Sequence, residues 1–230
     1  MGARVFVWLG GSLFVGSLAY CTYSFVVPWS RPPHAALGAG AWFDLSWNAA
    51  LLSVFALHHS LFARDRLKQA MARLVPADLI RSVYVWMASV LLILVCAWWR
   101  PIGGELYRMT GAGAWGLAGV QLCGLWLTAA AVRGLDPLEL AGIHPLSEDA
   151  GALQVTGPYG IVRHPLYLGW VLMVFGAAHM TGDRAAFAAI TTIYLAVAVP
   201  WEERSLVRTF GDAYARYRRA VRWRIVPFIY

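Results

Sequence analysis

Charge is what this sequence has least of. Only 13% of its 230 residues are Asp, Glu, Lys or Arg, against roughly 25% in a soluble domain. That scarcity excludes an ordinary water-facing surface. Acidic residues are the rarer sign, 12 against 19 Lys and Arg, leaving a formal net charge of +7. Cysteine is nearly absent as well. Cys21, Cys96 and Cys123 are the three that occur, each within an apolar run and none in a C-x-x-C or Cys/His pairing. Their spacing excludes a disulfide framework or a zinc site, and the three read as small buried hydrophobes.

What is present in abundance is apolar. Hydrophobic residues make up 60% of the chain, in long runs with few or no charges, which is the pattern of bilayer spans rather than of half-buried stripes. In a soluble protein the basic balance would suggest nucleic acid. Here it fits the excess of Lys and Arg in the cytoplasmic loops of membrane proteins, and no nucleic-acid partner is expected. The first apolar run, Val5 to Val27 after Arg4, is long for a signal peptide, and no small-residue cleavage site follows. Leu18-Ala19-Tyr20-Cys21 is similar to a lipoprotein site, but Tyr20 is too bulky before the cysteine. A retained first helix is expected.

Six spans are expected at about 5–27, 42–63, 80–99, 114–133, 165–181 and 185–201. Pro28, Pro32 and Pro33 end the first, Pro76 precedes the third, and Pro101 with Gly103 and Gly104 ends it. The fold class is therefore an all-α polytopic membrane protein of about six hydrophobic helices. The fifth is short and is expected to pair with the sixth as a helical hairpin around Thr181-Gly182-Asp183. Alternating the loops between two sides puts 15 of the 19 basic residues on one face, so both termini are expected in the cytoplasm. The tail beyond Trp201 is amphipathic: Phe210, Tyr214, Tyr217 and Val221 share a helical stripe, with Arg216, Arg218, Arg219 and Arg222 mostly elsewhere. It reads as a cytosolic helix lying on an anionic leaflet, a reading compatible with a lid over a site at the ends of spans five and six.

Several constellations carry chemistry. Gly111, Gly113 and Gly116 fit G-x-G-x-x-G by letters but follow no strand, so they read as a helix start and close packing rather than a dinucleotide loop. His58 and His59 point about 100° apart on a helix and do not chelate one metal well; they read as polar helix-end residues, with a haem ligand as the other reading. Ser60, Arg64 and Lys68 continue that polar edge. The informative stretch is 156–169. Gly157-Pro158 makes a turn, and Pro165 suits the first turn of a helix. Arg163 and His164 therefore stand at a helix N-terminus, where free N–H groups, the dipole and a guanidinium favour a carboxylate. Tyr159 and Tyr167 add aromatic faces. Glu202 and Glu203 close span six, where two carboxylates are costly unless used or paired with an arginine such as Arg163, Arg204 or Arg208. Together these groups suit a zwitterionic, cationic ligand. S-adenosylmethionine carries the matching groups, though the physical argument does not single it out.

Read as an ordered set, Gly157-Pro158-Tyr159, Arg163-His164-Pro165 with Tyr167 and Gly169, then Glu202-Glu203, Leu206, Phe210-Gly211, Tyr214 and Tyr217 resemble the integral-membrane methyltransferase superfamily. That group includes the isoprenylcysteine carboxyl methyltransferases and the phospholipid methyltransferases. His59 through Arg64 with Lys68, Arg81-Ser82 with Tyr84, Trp99 through Ile102, Asp136 through Leu140, Met180-Thr181, Thr191-Thr192 with Tyr194, and Arg204 extend the likeness to bacterial methanethiol S-methyltransferases. The resemblance covers about 55–227 and leaves the first span out.

The resemblance implies S-adenosylmethionine as methyl donor, bound in a pocket open to the cytosol. Leu153, Gln154, Tyr159, His164, Pro165, Leu166, Tyr167 and Glu202 would contact the donor, with His144 near another contact by a looser alignment. Arg163, Glu202 and Glu203 would be catalytic, and His59 and Arg64 would meet the acceptor. An arginine that isoprenylcysteine enzymes use for their acceptor falls near Ala198, which weakens a prenylcysteine carboxylate; the extended N-terminal half of the resemblance points instead to a small thiol, methanethiol, giving dimethyl sulfide. The implied mechanism is in-line methyl transfer to a thiolate, with Arg163 stabilising the thiolate and a Glu or His taking its proton. It needs no metal.

Residues 1–135 are expected to hold the N-terminal spans and the acceptor access, and residues 136–230 the methyltransferase core. The expected location is the bacterial inner membrane, with the bilayer and a small thiol or lipid-like acceptor as partners and no obligate protein partner. The alternatives are methylation of a lipid amine or prenylcysteine carboxylate, and a haem-binding or transport protein motivated by His58, His59 and Arg64.

Overall fold

Small residues decide how the first helix packs. In the computed structural model, which describes residues 2–31, 40–62, 71, 73–133, 137–144 and 152–230, α1 spans Gly2–Val26. It buries Gly10, Gly11, Ser17, Cys21 and Ser24 and leaves bulky residues such as Trp8 and Val15 exposed. That inversion suits a helix in lipid: there is no hydrophobic drive between helices, so association comes from close backbone approach. The partner is α3, Ile80–Ala97, which buries Ser82, Val85, Ser89, Val95 and Cys96. Trp86 stacks on Phe6 at 5.6 Å and its indole N–H donates to the Phe6 carbonyl at 3.1 Å. Between them lies α2, Ala41–Phe62. Its fully buried Asn48 donates to the Arg100 carbonyl at 2.7 Å and accepts from the Arg100 amide at 2.9 Å, which satisfies backbone just past the end of α3.

The chain divides into two compact units. Met1–Gly104 with Leu135–Glu148 form the first, and Glu105–Gly134 with Asp149–Tyr230 the second. The first holds α1, α2, α3 and the short α5, Pro137–Leu140, whose Glu139 carbonyl accepts from Arg81 Nε at 3.1 Å.

The second unit holds β1 (Glu105–Arg108), α4 (Gly111–Val132), α6 (Pro165–Phe175), β2 (His179–Thr181), α7 (Gly182–Phe210) and α8 (Asp212–Ala220). Its tightest crossing joins α4 to α6. A Cβ on Gly124 would lie 2.6 Å from the Gly169 carbonyl oxygen, and one on Gly169 would lie 2.7 Å from the Gly124 oxygen. Gln121 Nε2 donates to the Met173 carbonyl at 2.9 Å along the same seam. The close packing thus sits at Gly124 and not at the G-x-G-x-x-G start of α4, where Gly111 and Gly116 have open space beside them.

Four of the described helices are long and apolar enough to cross a bilayer. They are α1 extended to Ser30, α3, α4 and α7, with mean hydropathy of 1.5 to 2.0. At eleven residues, α6 reaches about 16 Å, roughly half a hydrocarbon core. The expected turn between the last two hydrophobic segments is instead a strand. β2 pairs antiparallel with β1, and Thr181 caps α7 by accepting from the Arg184 amide at 3.3 Å. The two short strands carry no alternating apolar pattern that would have announced them. Two further expectations change. The last apolar helix does not stop near Trp201 but runs to Phe210, with Pro200 inside it, so Glu202 and Glu203 lie within the helix. Cys123 is exposed on α4 rather than buried, whereas Cys21 and Cys96 are buried as expected.

The α4–α6 crossing gives a direct expectation. Gly169→Val should destabilise the protein by about 1–3 kcal/mol through overpacking, whereas Gly119→Ala, with open space beside it, should be neutral or stabilising by up to about 1 kcal/mol. Thermal unfolding in detergent checks both. Equal melting of the two variants would contradict the crossing.

Candidate active site

The site in the second unit begins with backbone. The turn Gly157–Gly160 leads to α6, whose first residue Pro165 needs no N–H partner. Ahead of it the Arg163 and His164 amides donate to the carbonyls of Trp223 and Arg224, at 2.9 and 2.8 Å. The chain after α8 therefore runs alongside the turn before α6, although some sixty residues separate them. The last residue completes the clasp. Pro200 leaves the Ala196 carbonyl without its helical partner, and the Tyr230 hydroxyl donates to that oxygen at 3.0 Å.

Side chains then fix the join. Arg163 is buried, and its Nε donates to Glu203 Oε1 at 2.6 Å. Its Nη1 donates to the carbonyls of Val221 and Arg222, both at 2.8 Å. Glu203 is likewise buried, with Arg224 at 3.6 Å and Arg218 at 3.9 Å from its other oxygen. The pairing of a Glu with Arg163 matches one of the sequence readings; Arg218 and Arg224 take the places foreseen for Arg204 and Arg208. A guanidinium so engaged has little left with which to hold a ligand carboxylate.

Glu202 is different. Its side chain is 42% exposed, and Oε2 accepts from the Tyr167 hydroxyl at 2.7 Å. The Tyr167 ring lies flat against that of His164, with centroids 5.3 Å apart and planes 10° from parallel. His164 sits between the two carboxylates, Nδ1 at 3.6 Å from Glu202 and Nε2 at 3.5 Å from Glu203, both too long for well-formed hydrogen bonds. Tyr167, His164 and Glu202 thus form one half-open polar face, with Leu166 exposed next to them.

A layer of tyrosines backs this face. Tyr214, Tyr217 and Val221 are buried together, with Leu153, Tyr159, Leu206 and Phe210 packed against them. The helical stripe expected in the tail is present, broken at Gly211, where φ is +51° and a glycine is favoured. Its apolar side is covered by the protein itself rather than by lipid. The Tyr217 hydroxyl donates to the Tyr159 carbonyl at 2.8 Å, and burial pushes its phenol up to about 12. Burial, reinforced by the nearby Glu202 charge, also raises the Tyr159 phenol. Both remain protonated donors near neutral pH.

The structure therefore brings together Leu153, Tyr159, Arg163, His164, Pro165, Leu166, Tyr167, Glu202 and Glu203. Gln154 is exposed on the irregular stretch next to Leu153. His144 and His59 belong to the first unit. There His59 Nδ1 meets the Tyr84 hydroxyl at 2.5 Å, and His58 stacks on the Tyr84 ring at 5.4 Å. Arg64 lies outside the described residues. The carbonyls of Val221 and Arg222, and Arg218 and Arg224 around Glu203, were not foreseen. No local spacing links them to residue 163; only the excess of arginine after Trp201 hinted that the tail had acidic company.

Comparison with known proteins supplies the class. The phospholipid methyltransferase family matches residues 114–213, which include the polar face and most of the helices that carry it. Together with the apolar helices this defines a membrane methyltransferase. The chain is 35% identical over 181 residues to methanethiol S-methyltransferase 2 of Bradyrhizobium diazoefficiens, covering 76% of this chain and 70% of that protein. It is 34% identical to the methanethiol S-methyltransferases of Crocosphaera subtropica, over 79% of this chain and 74% of that protein, and of Mycobacterium tuberculosis, over 76% and 75%. The chain belongs to the membrane methyltransferase family that contains these enzymes. No solved structure matches it.

The two adjacent glutamates should separate in a stability experiment. Glu203→Ala leaves a buried guanidinium without its partner and should cost about 3–5 kcal/mol. Glu202→Ala removes a half-exposed group and should cost no more than about 1–1.5 kcal/mol. Thermal or denaturant unfolding in detergent reads both, and equal losses would contradict the division between buried and open carboxylate.

Proposed function

We propose that the protein transfers the methyl group of S-adenosylmethionine to a small thiol, with methanethiol as acceptor and dimethyl sulfide as product. The observation that carries the reading is the open face of Glu202, Tyr167 and His164, backed by Tyr159, in a chain similar to proteins named methanethiol S-methyltransferase. The chemistry of that face fits the donor. Glu202 offers a carboxylate to an ammonium group. The Tyr159 and Tyr167 rings offer faces to a sulfonium or a purine. Leu153, Gln154, Pro165 and Leu166 complete the proposed contacts.

The donor supplies an electrophilic methyl on a positively charged sulfur. Once the thiol has lost its proton to solvent or to a Glu or His side chain, its sulfur would bond to that carbon as the carbon–sulfonium bond breaks, and both charges would be lost. Such a reaction is helped by exclusion of water and by alignment, which are what a rigid, partly buried cradle provides. Arg163 and Glu203, which the resemblance marks as catalytic, are proposed to act by positioning. They hold His164 and Glu202 in place by fixing the tail against the turn before α6. His59 and Arg64 remain the proposed acceptor-side residues, and residues 1–135 the acceptor-access region joined to a methyltransferase core in 136–230.

The proposed location is the bacterial inner membrane, with both termini and the donor site facing the cytoplasm and six hydrophobic segments in all. It rests on the one-sided distribution of the basic residues and on the bacterial sources of the relatives. A lipid amine is the competing acceptor, since the matched family is named for phospholipids.

Purified protein in nanodiscs is expected to bind S-adenosylmethionine by calorimetry and to convert methanethiol and radiolabelled donor into a volatile product. Glu202→Gln should weaken donor affinity or turnover by about 10–100-fold, the worth of a charge-assisted hydrogen bond. Label in the lipid extract with none in the volatile fraction would replace the thiol by a lipid acceptor. No donor binding by folded protein would overturn the proposal.

A further inference from the structure

The proposed methyl transfer makes no use of Cys21 or Cys96, and nothing in their spacing joins them. The packing of α1 on α3 does. It sets the Cys21 thiol beside that of Cys96, with the Ser24 hydroxyl next to Cys96. The pair is 9% and 7% exposed, and both thiols are free in this structure. The buried positions of the two helices carry small residues, Gly10, Ser17 and Ser24 on α1 and Ser89 on α3, and Gly10 lies directly against Trp86. Side chains of that size let helix backbones come close, the approach that a disulfide between two helices requires. Just past the same helix ends, Trp29 and Trp99 pack with ring centroids 4.5 Å apart, so the join is closed from outside by a second contact. Cys96 lies in the last turn of α3, where a helix frays first.

We propose that Cys21 and Cys96 are a redox pair that an oxidised disulfide converts into an interhelical disulfide stapling α1 to α3. The step is thiol–disulfide exchange. One cysteine, as thiolate, attacks the oxidant's disulfide and releases one of its sulfurs as a thiol. The second cysteine then displaces the remaining half from the mixed disulfide. Two cysteine thiols become one disulfide, the oxidant takes up the two electrons, and the two protons leave on the two released thiols.

The test uses the full chain in nanodiscs, treated with the membrane-permeant disulfide dithiodipyridine, then denatured, alkylated and digested for peptide mass mapping. The expected product is a Cys21 peptide joined to a Cys96 peptide, two hydrogens lighter than the separate pair. Cys123, exposed on α4, should carry only the reagent. Reduction with dithiothreitol before alkylation should return both cysteines as alkylated thiols. Cys96→Ser should abolish the joined peptide and leave Cys21 alkylated or reagent-capped. Cys21 and Cys96 recovered separately from the treated wild-type protein, or either joined to Cys123, would overturn the proposal.

Discussion

The Arg163 guanidinium has been taken out of water and given to one carboxylate and two backbone carbonyls, and much of the second unit is organised by that exchange. Burying a charge is costly unless its partners are close and correctly aimed. Here the partners come from two places far apart in sequence, Glu203 inside α7 and the carbonyls of Val221 and Arg222 just after α8. Satisfying the one side chain therefore fixes both elements against the turn before α6. The parallel amide contacts to Trp223 and Arg224 and the Tyr230 hydroxyl on the carbonyl freed by Pro200 repeat the same join with neutral groups. What this leaves uncommitted is Glu202, one residue from the buried glutamate and about a hundred degrees around the helix, turned toward Tyr167 and His164.

Two adjacent glutamates thus divide the work of the site. Glu203 belongs to the frame, while Glu202 faces outward and, among the described residues, has Tyr167 as its hydrogen-bond partner. In a membrane enzyme this division has a physical basis. A carboxylate facing a ligand must stay partly solvated until the ligand arrives, and a mobile tail would let water into the reaction. The tyrosine layer of Tyr159, Tyr214 and Tyr217 helps to keep the rear of the site dry while the Tyr159 and Tyr217 hydroxyls remain protonated donors.

Much of this was legible in the sequence, and the limits were physical ones. Composition and apolar runs are enough to place helices, because in lipid the backbone must satisfy itself within each segment. The turn at Gly157-Pro158, the helix start at Pro165 and the tyrosine stripe of the tail are local patterns, and each is where it was expected. Pairings between distant segments leave no periodic trace. The strands at 105–108 and 179–181 are too short to alternate, so a bare turn was expected there. The end of the last hydrophobic helix was placed near Trp201 by polarity, yet the helix continues because Arg163, not water, receives Glu203. Arg163 and Glu203 could be placed at a helix start and a helix end, and neither position says whether a charge faces a ligand or another part of the chain. Membership of the methyltransferase family was carried by motif order, which the comparisons bear out over three quarters of the chain.

The central claim is that the donor site is the face formed by the 156–168 turn and the adjacent part of α7, held together by the buried pair. Hydrogen–deuterium exchange of the intact protein in nanodiscs, with and without S-adenosylmethionine, tests it most directly. The account predicts donor-dependent protection of peptides covering 156–168 and 200–210. Protection confined to the first unit, or none with the donor bound, would contradict it.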